Sequence, residues 1–226
     1  MSYQLDFIET MVRAGVLKFG NFVTKSGRQS PYFINTGEFK TGAQIGKLGE
    51  FYAACIADKI EKGELAKDID VIFGPAYKGI PLAVSTAIAL ARDYGINAGY
   101  CFNRKETKDH GEGGNLVGAK LKDGDKVIVI DDVITAGTAI REAIPIITGT
   151  ANVEIAGLVI SVDRMERGQG AVSAVEEVRR DLGIKVFPIV TVQDILSELD
   201  GREIDGALIL TAECKASLIQ YMAKYC

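Results

Sequence analysis

The chain has 226 residues, 47% of them hydrophobic, enough to bury one substantial core and near the upper limit for one compact domain. Lys+Arg 26 against Asp+Glu 30 gives a formal charge of -4, so no general basic field is available to neutralise a phosphate backbone, and no nucleic-acid partner is expected. The longest uncharged apolar stretch, near 79–91, falls short of the roughly 20 residues of a membrane-spanning helix, which sets aside a membrane partner and predicts a buried helix there.

In chain order, Leu5, Ile8 and Val12 recur at helical spacing between Ser2 as cap and Gly15 as stop, so the chain opens with a helix. Segments 19–24 and 32–35 flank the basic turn Lys25-Ser26-Gly27-Arg28 and predict two short strands. Leu48, Phe51, Tyr52, Cys55, Ile56 and Ile60 form the stripe of a helix over 46–62. A βαβ unit follows: strand 71–73, loop 74–79, helix 80–92, strand 98–102. Segment 103–118, rich in glycine and charge, is expected to be a mobile loop. A second unit has strand 126–130, loop 131–137, helix 138–148 and strand 155–162, and a strand at 185–190 and a helix at 192–199 repeat the alternation. The prediction is an α/β fold, a mostly parallel twisted sheet flanked by helices on both faces. Ligands of such sheets bind beyond the carboxyl ends of the strands, where loops 74–79, 103–118 and 131–139 fall.

Cys55, Cys101, Cys214 and Cys226 make no C-x-x-C pair, so neither a zinc site nor a thioredoxin-like motif is signalled, and they read as small buried hydrophobes or a frayed terminus. The opening Met-Ser-Tyr-Gln-Leu-Asp lacks the pattern of a secretory signal, so reduced thiols and a cytoplasmic location are expected.

The most informative loop is Asp131-Asp132-Val133-Ile134-Thr135-Ala136-Gly137-Thr138-Ala139. Its second half brings small and hydroxyl residues to a helix N-terminus, where unpaired N–H groups and the helix dipole suit a phosphate monoester. Gly137 allows close approach of the backbone, and Thr135 and Thr138 add hydroxyl donors. Two adjacent carboxylates beside an anion site repel it unless they face hydrogen-bond donors or positive charge, and a sugar diol meets that need. Asp131 and Asp132 could instead merely cap the turn. The four apolar strand residues before them and the Thr/Gly turn after them favour the sugar-binding reading. No G-x-x-x-x-G-K-[ST] or G-x-G-x-x-G segment occurs, which removes the usual signals for nucleoside triphosphates and dinucleotides.

The run Val129 to Thr138 resembles the phosphoribosyl-diphosphate signature of type I phosphoribosyltransferases. Further segments narrow the resemblance to the orotate phosphoribosyltransferase family: Lys25-Ser26-Gly27-Arg28-x-Ser30-Pro31-Tyr32, Gly74-Pro75-Ala76-Tyr77-Lys78-Gly79, Cys101 to Glu106, Lys108 to Gly114, and Asp163-Arg164. It extends from Lys18 to about Val192. It implies a type I phosphoribosyltransferase-like fold over 1–226 as one domain, with a small hood mainly within 1–40 and a mobile catalytic loop at 103–118.

The resemblance further implies transfer of the phosphoribosyl group of 5-phosphoribosyl 1-diphosphate to orotate, giving orotidine 5'-monophosphate and pyrophosphate in pyrimidine biosynthesis. Mg2+ would be held mainly through the diphosphate substrate rather than by protein ligands. Lys108, His110, Asp131 and Asp132 would be catalytic. Lys25, Tyr77, Lys78, Arg104, Lys105 and the loop Asp131 to Ala139 would bind phosphoribosyl diphosphate with them. Orotate would be held by Lys25, Phe33, Ile34, Thr135 and Arg164, whose guanidinium suits a planar carboxylate but whose plain alternative is an ion pair with Glu166. Ile34 departs from the two aromatics many relatives carry at Phe33-Ile34. The active unit would be a homodimer whose mobile loops reach the neighbouring site. A purine phosphoribosyltransferase is opposed by the Lys25-Ser26-Gly27-Arg28 segment, and a non-catalytic regulator sensing phosphoribosyl diphosphate by an acidic chain with a basic loop.

Overall fold

Strands that are apolar on both faces must be covered on both faces, and that requirement organises this molecule. The computed structural model describes residues 2–24, 27–105, 115–134, 137–168 and 170–226. Helix α1 (Tyr3–Arg13), capped by Ser2 Oγ accepting from Leu5 N–H, leads into the antiparallel pair β1 (Leu17–Val23) and β2 (Gln29–Ile34). After α2 (Gly42–Glu61) come β3 (Val71–Phe73), α3 (Gly79–Tyr94), β4 (Gly99–Asn103), β5 (Leu116–Gly118), β6 (Lys126–Asp131), α4 (Thr138–Thr148) and β7 (Glu154–Asp163). The chain continues through α5 (Ala174–Leu182), β8 (Val186–Thr191), α6 (Val192–Leu199), the short pair β9 (Glu203–Ile204) and β10 (Ala207–Leu208), and α7 (Ala212–Tyr225).

Strands β3 to β8 form one sheet in the order β5-β4-β3-β6-β7-β8, parallel except for β5. Ile72, Ile128, Ile130 and Val159 face a core built with α1, α2 and α3. Val71, Phe73, Val127, Val129, Leu158 and Ile160 face the opposite core with α4 and α5. From β3 the chain proceeds outward to β4, and from β6 outward in the other direction to β7, so the crevice between β3 and β6 is the topological switch point where open α/β sheets bind ligands.

Most elements lie within a few residues of expectation, and the departures have physical causes. Helix α2 begins at Gly42 rather than near 46 because Thr41 and Gln44 form a capping box. The far end of the expected loop 103–118 is strand, with Leu116–Gly118 pairing antiparallel to Cys101–Asn103, while 106–114, where most of that expectation falls, lie outside the described residues. Helix α3 is buried on one face only, since Ile88 is 60% exposed. Helices α5 and α7 were not anticipated: α5 buries only Ala174, Val175 and Val178, and α7 only Leu218 and Tyr221, too narrow a stripe to stand out. Cys226 is not a frayed end, for its Sγ donates to the Arg164 carbonyl at 3.5 Å.

Helices α2 and α3 approach until their backbones nearly touch at Gly49, where an added Cβ would lie 2.5 Å from the carbonyl carbon of Ser85. Gly49→Ala is therefore expected to destabilise the protein by about 1–3 kcal/mol despite its better helix propensity, as a denaturant midpoint would register.

Candidate active site

At the switch point, the carboxyl ends of β3 and β6 and the start of α4 enclose a cavity of about 300 Å³. Pro75, Ala76, Tyr77 and Lys78 line it from the β3 side, Asp131 to Ile134 from the end of β6, and Gly137, Thr138 and Ala139 from the helix start. Gly137 occupies the left-handed region at φ 68, and a Cβ there would meet Val178 of α5 at 2.8 Å, so this turn favours glycine twice over. Among the described residues no side chain caps α4, and the first N–H groups of a helix are the ones without partners inside it.

The two acids are in different electrostatic situations. Asp132 Oδ2 accepts from Thr36 Oγ1 at 2.8 Å and from Lys78 Nζ at 2.9 Å, and Oδ1 accepts from Val133 N–H at 2.8 Å. Burial raises its pKa, but these bonds outweigh burial and hold the carboxyl below its ordinary value. Asp131 has one such donor, the Asp132 N–H at 2.8 Å, and burial followed by the Asp132 charge pushes it from 3.8 up to about 6.

The backbone of the pair is fixed from two sides. Tyr52 of α2, fully buried, donates to the Asp131 carbonyl at 2.8 Å. Burial and then the charges of Asp132 and Asp131 keep that phenol protonated, with its pKa well above the ordinary value. Ser161 of β7 donates to the Asp132 carbonyl through both Oγ (2.6 Å) and N–H (2.9 Å). On the β3 side, the Ala76–Tyr77 peptide is cis and Ala76 N–H donates to Asn103 Oδ1 at 2.9 Å, tying this loop to the end of β4. Sequence reasoning missed Thr36, Tyr52, Asn103 and Ser161. Only Ser161 carried a signal, a hydroxyl inside the apolar run Leu158 to Val162 that needs a buried partner.

Of the sequence-predicted residues, Tyr77, Lys78, Asp131, Asp132, Val133, Ile134, Gly137, Thr138 and Ala139 share the cavity. Arg104 and Lys105 stand where β4 leaves the sheet. Arg104 N–H donates to the Asn115 carbonyl at 2.7 Å, and Lys105 Nζ lies 5.5 Å from the Tyr77 ring centroid. Phe33 is exposed and stacks on Phe22 at 5.4 Å, whereas Ile34 is partly buried and packs against the edge of the core. Arg164 follows β7 and pairs with Glu166 at 2.6 Å, so the plain alternative for it is present in the molecule. Lys25, Lys108, His110, Thr135 and Ala136 lie outside the described residues. Among the described residues, no three His, Cys, Asp or Glu side chains gather as metal ligands, and no helix is long and apolar enough to cross a membrane.

This fold, with a helix start, paired acids and a lysine around one cavity at the switch point, is that of a phosphoribosyltransferase, and residues 39–191 match the phosphoribosyl transferase domain. Orotate phosphoribosyltransferase of Clostridium beijerinckii is 51% identical over 224 residues, covering 99% of this chain and 98% of the relative. That of Bifidobacterium adolescentis is 52% identical over 231 residues, covering 100% and 99%. The crystal structure of the Francisella tularensis orotate phosphoribosyltransferase superposes with a TM-score of 0.81 at 38% identity, covering 97% of this chain and 98% of that one. The chain belongs to the orotate phosphoribosyltransferase family.

The unequal acids predict a pH signature. An Asp131 pKa raised from 3.8 to about 6 means that between those values the folded state keeps a proton the unfolded chain releases, so its contribution to stability falls as pH rises through that window. Asp132 acts oppositely, its stabilisation present above the ordinary carboxylate value and lost on acidification. Asp131→Asn removes the first effect and also relieves Asp132 of a neighbouring charge. Relative to the parent, its melting temperature should gain more at pH 8 than at pH 5, by a difference equivalent to roughly 1 kcal/mol, while turnover falls strongly.

Proposed function

We propose that this chain transfers the phosphoribosyl group of 5-phosphoribosyl 1-diphosphate to orotate, yielding orotidine 5'-monophosphate and pyrophosphate for pyrimidine biosynthesis. The observation that carries the reading is the facing of Asp131 and Asp132, the open start of α4 and Lys78 across one cavity. As the anomeric carbon separates from pyrophosphate, positive charge builds on the ribose and negative charge on the leaving oxygens. Asp131 and Asp132 accept hydrogen bonds from the ribose diol and favour the ribosyl charge. The N–H groups of Gly137 to Ala139 hold the 5'-phosphate, and Lys78, Arg104, Lys105, Lys108 and His110 supply charge to the diphosphate. Orotate arrives as an anion whose ring nitrogen attacks, so no dedicated base is needed. Arg164 grips its carboxylate, with Lys25, Phe33, Ile34 and Thr135 completing the base site.

Mg2+ belongs to this scheme as part of the substrate. Both oxygens of Asp132 already accept hydrogen bonds from Thr36, Lys78 and Val133, so the acids do not form a ready carboxylate cage for a hard cation. Bound to the diphosphate, the ion neutralises leaving-group charge. The chain acts as one cytoplasmic domain over 1–226 with its hood mainly in 1–40, and as a homodimer whose 103–118 loops complete the neighbouring sites. Such a loop excludes water when it closes.

Pyrophosphate release measured with orotate, uracil, adenine and hypoxanthine should depend on orotate alone; equal use of a purine base overturns the assignment. Lys108→Ala should retain the fold and lose most activity. Heterodimers of Lys108→Ala with Asp132→Asn subunits should recover part of it, and no recovery in verified heterodimers removes the shared site.

A further inference from the structure

A guanidinium can grip a planar carboxylate with two bonds only if its orientation is fixed, since a small rotation loses one of them. Arg164 is fixed by its own protein. Nε donates to Tyr32 Oη at 3.2 Å, Nη2 pairs with Glu166 Oε1 at 2.6 Å, and the guanidinium carbon stands 5.1 Å from the Tyr32 ring centroid. Nε and Nη2 define one edge of the plane. Nη1, on the other edge, has no hydrogen-bond partner among the described residues.

Glu166 is held in turn. Its Oε1 also accepts from Tyr221 Oη at 2.8 Å and from Tyr32 Oη at 3.3 Å, and Oε2 lies 3.9 Å from Arg28 Nη1. Tyr221 belongs to α7 and meets the Tyr32 ring edge-on at 5.9 Å. The last turn of α7 binds the same segment twice more, through the Tyr225 carbonyl accepting from Arg167 N–H at 2.8 Å and the Cys226 thiol donating to the Arg164 carbonyl. Between Arg164 and Glu166, Met165 takes a left-handed backbone at φ 56, costly for a residue with a side chain and persistent where surroundings over-determine it. The Arg164 and Glu166 side chains are 16% and 18% exposed, so their pairing is much less screened than a surface ion pair.

We propose that Glu166 and Tyr221 are positioning residues for base recognition: α7, through Tyr221 and Glu166, aims the free edge of Arg164 at the carboxylate of orotate. Tyr32 and Tyr221 lie outside the span 39–191 that matches the phosphoribosyl transferase domain, whereas Arg164 and Glu166 lie inside it, so the device joins the domain to the segments that flank it. The inference rests on Arg164 as the orotate-carboxylate residue.

The test measures KM and kcat for each substrate, with thermal unfolding, in Glu166→Gln, Tyr221→Phe and Arg164→Ala. Tyr221→Phe should raise the orotate KM about fivefold and Glu166→Gln about tenfold, with the KM for phosphoribosyl diphosphate unchanged. A merely structural role predicts a lower melting temperature with both KM values or neither altered, and that result overturns the inference. Should Glu166→Gln fail to fold, Tyr221→Phe, which removes one hydroxyl, decides alone. If Arg164→Ala raises the orotate KM while the other two variants do not, positioning fails and the role of Arg164 stands. An unchanged orotate KM in Arg164→Ala removes that role itself.

Discussion

Two carboxylates side by side at the end of a buried strand coexist only if the protein makes them unequal, and much of this architecture serves that requirement. Asp132 is stabilised as an anion by Lys78 from the β3 loop, Thr36 from beyond β2 and the N–H of Val133. Asp131, with one backbone donor and a charged neighbour, is pushed toward neutrality. Their carbonyls are occupied by Tyr52 and Ser161, so neither peptide can rotate without breaking a buried bond. Donors from the β3 loop, the segment after β2, α2 and β7 thus converge on two consecutive residues.

The fold divides the work accordingly. The switch point between β3 and β6 places the acids, the open α4 start and Lys78 within one cavity, all on elements of the parallel sheet and its crossovers. Arg164 stands outside that cavity, where the end of β7, Tyr32 of β2 and Tyr221 of α7 meet. On both sides, packed elements hold the strand-end residues in place: Tyr52 of α2 and Ser161 of β7 at the acids, Tyr32 of β2 and Tyr221 of α7 at Arg164 and Glu166.

The sheet strands were legible because Val71-Ile72-Phe73, Val127 to Ile130 and Leu158 to Val162 are short apolar runs bounded by polar turns, and burial on both faces leaves them no other use. The acids and the α4 start were legible because Asp131 to Thr138 compresses strand end, turn and helix start into consecutive residues. What sequence did not disclose is pairing at a distance. Nothing near Thr36 announces a partner 96 residues away, and nothing in α7 announces that Tyr221 meets Glu166 across 55 residues. Strand β5 was hidden for a related reason: Leu116 to Gly118 is three residues long and becomes a strand only because β4 offers an open edge.

The Lys78–Asp132 pair has a further effect. With the lysine side chain 66% exposed and the aspartate 16%, the protein carries an internal counter-ion at the mouth of its own cleft. A diphosphate that takes this ammonium displaces one anion with another, so the gain is the difference between two attractions rather than the whole of one. The same displacement would remove one of the two donors on Asp132 Oδ2, Thr36 remaining, and on the proposed function a sugar hydroxyl would take its place. On the proposed function the cleft would exchange one anion for another at Lys78, lowering ground-state affinity and leaving the ammonium beside the leaving pyrophosphate.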